Sequence, residues 1–295
     1  MELDMIELVD QPKSRETSPS LHSDDTDPTI CFGLQENPFL DSVNPDYFFR
    51  TEAHEEACLQ MKKCIEDHIS MGLVTARSGT GKTLLTQILL QELDQNRYRP
   101  ALVLAYPRIS RSALLRELAN ELEIEGLPAR ASLHKLMTAV QQRIYELHEE
   151  NKKPVFMIDE VHFLGGDTLH LLRTLSNIET ARRKLVTILL FGEETFLRKL
   201  DEPRYRAILS RTFIRSHLRP LTPGEVEQYI KFRCLMAGGG NNLFGKDTFE
   251  RIREVTEGVP REINRLCHNA LERAASRGLS GIDRTFLEEV IETSW

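Results

Sequence analysis

The sequence predicts an α/β fold, a three-layer sandwich built on a mostly parallel sheet, followed by a small all-helical domain. Three observations predict it. Short apolar runs alternate with amphipathic segments of helical length between residues 52 and 220. Two of these runs, VFMID and VTILLF, are apolar without interruption, as strands covered on both faces are. After Pro220 the apolar runs stop, and four helical segments follow with no strand between them.

The elements can be justified in order. Residues 52–70 carry Ala57, Met61, Cys64, Ile65 and Ile69 at helical spacing, and a strand is expected over 73–76. A helix opens at Lys82 and runs through LLTQILLQEL. ALVLAY, residues 101–106, reads as a strand ended by Pro107, and its helix starts at a Ser110 cap. An amphipathic helix over 132–150 precedes the strand VFMID. LHLLRTLSNIET is then a helix, VTILLFG a buried strand and TFIRSHLRPL a more polar one. Crossovers between parallel strands are right-handed, which sends helices to both faces of such a sheet. In the final part, Thr222, Pro223 and Glu225 form the pattern of a capping box. Gly258 and Gly278 end helical segments, where a left-handed residue is easily adopted. The domains expected are an acidic disordered tail over 1–30, an α/β domain over 31–220 and a helical domain over 221–295.

Charge and cysteine content narrow the function classes. The chain carries a formal net charge of -7 over 295 residues, and residues 1–30 alone hold eight acids against two bases. The folded body is therefore close to neutral, which argues against strong nonspecific nucleic-acid binding. The five cysteines, Cys31, Cys58, Cys64, Cys234 and Cys267, include no C-x-x-C pair and suit reduced thiols in a cytoplasmic protein. No apolar run is long enough to span a bilayer, and no signal peptide is recognisable.

The chemistry is concentrated in TARSGTGKTLL, residues 75–85. A loop that wraps phosphates needs bare backbone, inward N–H groups and a helix N-terminus aimed at the anion. Ser78, Gly79, Thr80, Gly81, Lys82, Thr83 and Leu84 supply such a loop between an apolar strand and a helix. Lys82 is expected to reach the β and γ phosphates, and the Thr83 hydroxyl to hold Mg²⁺. Ala76 stands where the motif usually begins with glycine; it is tolerated if the backbone there is ordinary and damaging if φ is positive. Further along, FMIDE closes a buried strand with two carboxylates. Asp159 is expected to hold Mg²⁺ through water, and Glu160 to deprotonate the water that attacks the γ-phosphate. The guanine-reading N-K-x-D pattern is missing, because the NK at 151–152 continues as NKKP, so ATP is the expected nucleotide.

These motifs, with FGLQENPF, PDYFF, LLFGEETFLRKL, HLRPL and EGVPREINRLCHNAL in that order, resemble the AAA+ ATPases of the ExeA/GspA secretion-ATPase and TnsC-like transposition-regulator group. The resemblance covers about residues 31–292. It implies a P-loop NTPase domain with a helical lid that binds ATP and Mg²⁺ and self-associates into an ATP-dependent oligomer. Asn37, Pro38 and Phe39 match the segment near adenine. Glu193 stands where the group more often has glutamine as a γ-phosphate sensor; either Glu193 orients water or its neighbour Thr195 takes over. Arg211 matches the arginine that reaches a neighbouring subunit's γ-phosphate, with Arg206 as the alternative. Arg261 matches the lid arginine that contacts nucleotide in cis.

The group divides between membrane-associated secretion ATPases and soluble ATPases that bind DNA. Secretion members continue past the lid into a membrane segment, whereas this chain ends at Trp295. The first expectation is accordingly an assembly switch acting on duplex DNA or a transposase-like protein. A regulator that works with secretion-system components is the alternative, and a weakly hydrolysing ATP-binding scaffold a third reading. Arg108 and Arg111, after the ALVLAY strand, are candidate DNA contacts. The basic residues from Arg198 to Arg219 serve either DNA or subunit contacts.

Overall fold

The computed structural model describes residues 27–40, 44–240 and 242–294. The acidic tail expected over 1–30 lies outside the described residues as far as residue 26. Regular structure begins with the short helix α1 (Pro28–Cys31), whose N-cap Asp27 accepts from the Thr29 backbone at 2.8 Å.

Five strands form one parallel sheet: β1 (Met71–Ala76), β2 (Tyr98–Leu104), β3 (Lys153–Asp159), β4 (Thr187–Glu193) and β5 (Thr212–Leu218). Their spatial order is β2-β3-β4-β1-β5. The two strands at the centre of the motif argument, β1 and β3, are buried along their whole length. Side chains alternate across the sheet, so neighbouring residues enter different cores. Phe156 and Ile158 of β3 pack on one face with α4 (Arg111–Glu121), α5 (Leu133–Glu149) and α6 (Gly166–Leu175). Val155 and Met157 pack on the other with α2 (Glu52–Glu66) and α3 (Lys82–Glu92). This is the three-layer arrangement expected from the alternation of runs. Two short helices, α7 (Thr195–Leu200) and α8 (Arg206–Leu209), lead from β4 to β5.

Several boundaries differ from expectation. The second strand starts three residues before Ala101 and takes in Pro100. Proline is accepted there because β2 lies at the edge of the sheet, where one row of N–H positions needs no partner. The helix expected from Leu169 begins at Gly166 and stops at Leu175, since residues 178–185 fold back through a Glu179–Lys184 bridge. The last strand ends at Leu218, short of Pro220.

The helical domain contains α9 (Pro223–Met236), α10 (Thr248–Thr256), α11 (Pro260–Ser276) and α12 (Arg284–Ser294) around a core of their own. Thr222 and Glu225 make the expected capping box. Arg219 pairs with Glu225 at 2.6 Å, and this bond pulls the Glu225 carboxyl down to about 2. Leu34 and Phe39 are buried in that lid core, so this segment and the four lid helices share one hydrophobic cluster. Four of the five cysteines are buried, and none forms a disulfide among the described residues. Among the described residues no helix is long and apolar enough to cross a membrane.

Candidate active site

The carboxyl end of the sheet carries the site. Ala76 is the last residue of β1, fully buried, and lies level with Glu193 of β4 and Leu218 of β5. Its backbone is ordinary strand; the positive φ angles of the loop fall on Gly79 (81°) and Gly81 (101°) instead. The alanine therefore only ends the strand, and its methyl group joins the core beneath the loop. Gly79 is required for a second reason. A Cβ on it would lie 2.8 Å from Arg261 Cβ, so a side chain would push the lid away. Gly81 caps α3 in the left-handed conformation.

The loop is held from below by residues that sequence reasoning missed. His54 Nε2 lies 3.2 Å from the Thr80 carbonyl oxygen, and its Nδ1 lies 2.7 Å from Thr51 Oγ1. Burial lowers the His54 pKa and favours the neutral ring. The signal available in the sequence was only a histidine in the first turn of a helix. Thr80 Oγ1 closes the loop on itself by donating to the Arg77 carbonyl at 2.7 Å.

Lys82 and the two carboxylates meet above this loop. The Lys82 ammonium is buried and lies 3.4 Å from the Ala76 carbonyl oxygen and 3.3 Å from that of Arg77. Burial lowers its pKa, while Glu160, Glu193 and Asp159 oppose that shift. Thr83 Oγ1 donates to Asp159 Oδ2 at 2.8 Å, and Asp159 Oδ1 accepts from the Glu160 N–H at 2.8 Å. Two oxygen donors already in contact fit a hard cation such as Mg²⁺, which takes few protein ligands and completes its shell with phosphate and water. The glycine cradle and the buried ammonium fit a polyphosphate in the same way.

Glu160 departs from the expected alternation along the strand. The strand ends at Asp159, and Glu160 adopts a left-handed backbone at φ 54°. That turn, and not the pleat of the sheet, separates the two carboxylates. Glu160 lines the cleft, with Oε2 3.2 Å from His162 Nδ1, an ion-pair distance without hydrogen-bond alignment.

The lid closes the cleft. Arg261 N–H donates to the Gly79 carbonyl at 3.2 Å and its guanidinium to Ser78 Oγ at 3.3 Å, while Arg77 pairs with Glu257. The cleft, about 130 Å³, runs from Ser78, Lys82, Leu84 and Glu160 to Arg233 and Asn264 on the lid. Tyr229, Arg233 and Asn264 form a buried chain: Arg233 Nη1 donates to Tyr229 Oη at 2.9 Å, and that hydroxyl donates to Asn264 Oδ1 at 2.8 Å. Only their position in the fold brings these three to the nucleotide side.

The remaining expected residues lie around this cleft or away from it. Asn37, Pro38 and Phe39 lie against the lid, where Phe39 lines a neighbouring recess that shares Arg261 and Asn264 with the cleft. The Phe39 ring is buried in the lid core, edge-on to Phe244 with centroids 5.8 Å apart. Asn37 Nδ2 lies 2.9 Å from His268 Nδ1, and the Pro38 carbonyl accepts from Arg233 Nε, one residue removed from the cleft. Glu193 ends β4 beside the loop, and Thr195 opens α7 on the surface. Arg211 precedes β5 at the other end of the sheet, next to Ser70, whose hydroxyl donates to its carbonyl at 3.5 Å. The length of β5 separates it from its own loop by roughly 20 Å. Arg206 is exposed on α8. Within the basic run, Lys199, Arg204, Arg215 and Arg219 are engaged locally, whereas Arg198, Arg206 and Arg211 form no ion pair among the described residues.

Comparison with known proteins agrees with this geometry. The family model described as AAA domain matches residues 65–200. The chain carries an AAA+ ATPase domain. It is related to the secretion-ATPase family, with 31% identity over 250 residues to General secretion pathway protein A of Aeromonas hydrophila. That match covers 85% of this chain and 45% of the relative, so the chain spans about half the length of the protein it resembles. The fold of this AAA+ chain is also that of the Aeropyrum pernix ORC2 protein, at a TM-score of 0.67 and 15% identity, covering 88% of this chain and 71% of the other. The Aeropyrum pernix ORC1 protein in complex with DNA gives 0.65 and 16%, covering 88% and 69%. The P-loop NTPase fold supports ATP binding and hydrolysis, and the AAA+ class uses ATP with Mg²⁺.

Proposed function

We propose that this AAA+ chain binds ATP with Mg²⁺ in the loop–lid cleft, hydrolyses it, and uses the nucleotide state to assemble into an oligomer that acts on duplex DNA or a transposase-like partner. The observation that carries the first part is the contact of Thr83 with Asp159 directly beneath Lys82 and Glu160. Lys82 and the loop N–H groups would bind the β and γ phosphates, and Glu160 would accept the proton of the attacking water. Thr83 and Asp159 would hold Mg²⁺, which neutralises phosphate charge when bound. Arg211, out of reach of its own loop, would serve the site of a neighbouring copy.

The DNA reading is supported by a recess beyond β2 rimmed by Arg108, Arg111 and Arg204. Arg108 takes a left-handed backbone at φ 66°, a strain that recurs at functional loops. It is tested by fluorescence anisotropy with labelled duplex, comparing a non-hydrolysable ATP analogue, ADP and no nucleotide at several salt concentrations. Binding only in the triphosphate state, weakened by salt and by Arg108→Glu with Arg111→Glu, is expected. Absence of binding at low salt, with ATP-driven assemblies present, would refute it. The second reading, a regulator of an envelope secretion system, is favoured by the relationship to General secretion pathway protein A. It takes over on that result.

A further inference from the structure

A second recess, about 200 Å³, lies at the amino end of the sheet, away from the nucleotide cleft. Arg97 precedes β2, Lys152 and Lys153 enter β3, and Arg183 and Lys184 sit on the turn before β4. Against these five cations the lining offers one carboxylate, Glu66. Lys184 is paired with Glu179. Among the described residues, Arg97, Lys152, Lys153 and Arg183 have no carboxylate within 4.0 Å. Like charges gathered in a concave, partly desolvated wall repel one another, and the arrangement is relieved by an anion.

Capping of the adjoining helix ends accounts for only part of this charge. Lys153 Nζ donates to the Ile65 carbonyl at 2.6 Å, satisfying the last turn of α2. None of the other cations caps a helix: Arg97 lies over the Tyr98 ring at 5.5 Å, Lys184 pairs with Glu179, and Arg183 approaches His148 Nδ1 at 3.5 Å. Two groups also carry unsettled demands. Nδ1 of His68 is buried with no hydrogen-bond partner, on a residue held at φ 54°. Burial, with Lys153 and Arg183 nearby, keeps the His68 ring below its usual pKa. Burial likewise brings Lys153 down to about 8, with Arg183 adding to the effect and Cys64 opposing it. A bound anion would favour the charged forms of both and let Nδ1–H donate.

We propose that this recess binds a compact phosphate-bearing anion, held by Arg97, Lys152, Lys153 and Arg183. Paired guanidinium and ammonium donors match a phosphate group. Free polyphosphate and the phosphate tail of a nucleotide share this chemistry.

The test is titration calorimetry with sodium tripolyphosphate, and separately with ATP, on Lys82→Ala protein without Mg²⁺, so that the loop does not compete. Lys152→Ser with Arg183→Ser, chosen because neither residue is buried, should weaken tripolyphosphate by about tenfold or more, as loss of two charge-assisted contacts does. Arg130→Ser with Lys135→Ser, an equal charge change on the exposed start of α5, should leave affinity within about twofold. ATP binding with the same dependence on Lys152 and Arg183 would identify a nucleotide tail as a source, and binding of tripolyphosphate alone a free polyphosphate. No binding to folded Lys82→Ala protein at low ionic strength would overturn the proposal. Equal weakening by both double variants would do the same.

Discussion

Ala76→Gly tests whether the missing glycine matters to the phosphate loop. The Ala76 methyl group is fully buried in the layer formed with Val74, Leu85 and Leu89, so its removal costs about 0.8 kcal/mol of burial. Greater backbone freedom in the unfolded chain adds roughly 0.5–1 kcal/mol. The variant should therefore be less stable by about 1.5 kcal/mol, lowering Tm by roughly 3–6 °C for a domain of this size. Nucleotide affinity should hardly move. Lys82 reaches the Ala76 carbonyl, which glycine retains, and the left-handed angles belong to Gly79 and Gly81. Calorimetric titration of both proteins with a non-hydrolysable ATP analogue should give affinities within about tenfold, or roughly 1.4 kcal/mol. A gain of about a hundredfold with glycine, twice that free energy, would refute the reasoning and show that the methyl group obstructs the cradle.

The other predictions concern the cleft, the interface and the lid. Lys82→Ala should abolish nucleotide binding at the loop–lid cleft, whereas Glu160→Gln should keep it and reduce turnover by on the order of 10² or more; unchanged phosphate release by the glutamine variant would remove Glu160 from its role. Mixing Arg211→Ala with Glu160→Gln protein should restore part of the turnover, since one interface then has both groups intact, and mixed oligomers without recovery would exclude Arg211. Glu225→Gln should destabilise the lid by on the order of 1 kcal/mol after screening at the half-exposed Arg219. Because the folded Glu225 carboxyl is held down at about 2, that contribution is complete above its ordinary pKa near 4.5 and fades as pH falls toward 2. Denaturation curves at pH 7 and pH 3 measure the difference, and an equal gap at both would contradict the pairing.

Much of the nucleotide side was legible because its chemistry is contiguous in the chain. Gly79 to Leu84 run from the loop into the first turn of α3, and Asp159 closes one strand, so pattern and position coincide. Residues whose roles arise from folding were not legible in this way. Tyr229 and Asn264 are 35 positions apart and meet through a side-chain bond between α9 and α11. The burial of Phe39 in the lid core is likewise set by folding, because the helices it packs against come from the far end of the chain. The edge position of β2 explains the tolerated Pro100, a fact about strand order that no local window contains.

The geometry of the loop also constrains how nucleotide state can be transmitted. The Arg261 N–H bonds the Gly79 carbonyl, and no room for a Cβ remains between them, so part of the lid contact is made by loop backbone. Arg261 to Ser78 Oγ and Arg77 to Glu257 add side-chain contacts across the same seam, so a phosphate in the cradle would sit beside groups that hold the lid. From the lid, Arg233 reaches the Pro38 carbonyl and joins the N-terminal segment to the same unit. The opposite end of the sheet bears Arg211, tied to β1 through Ser70 and too far from its own cradle to stabilise charge there. On the proposed reading, nucleotide would bind at one end of the sheet while Arg211 lies at the other. The hydrolytic site would then be complete only between copies, and Arg211→Ala should impair turnover without impairing nucleotide binding.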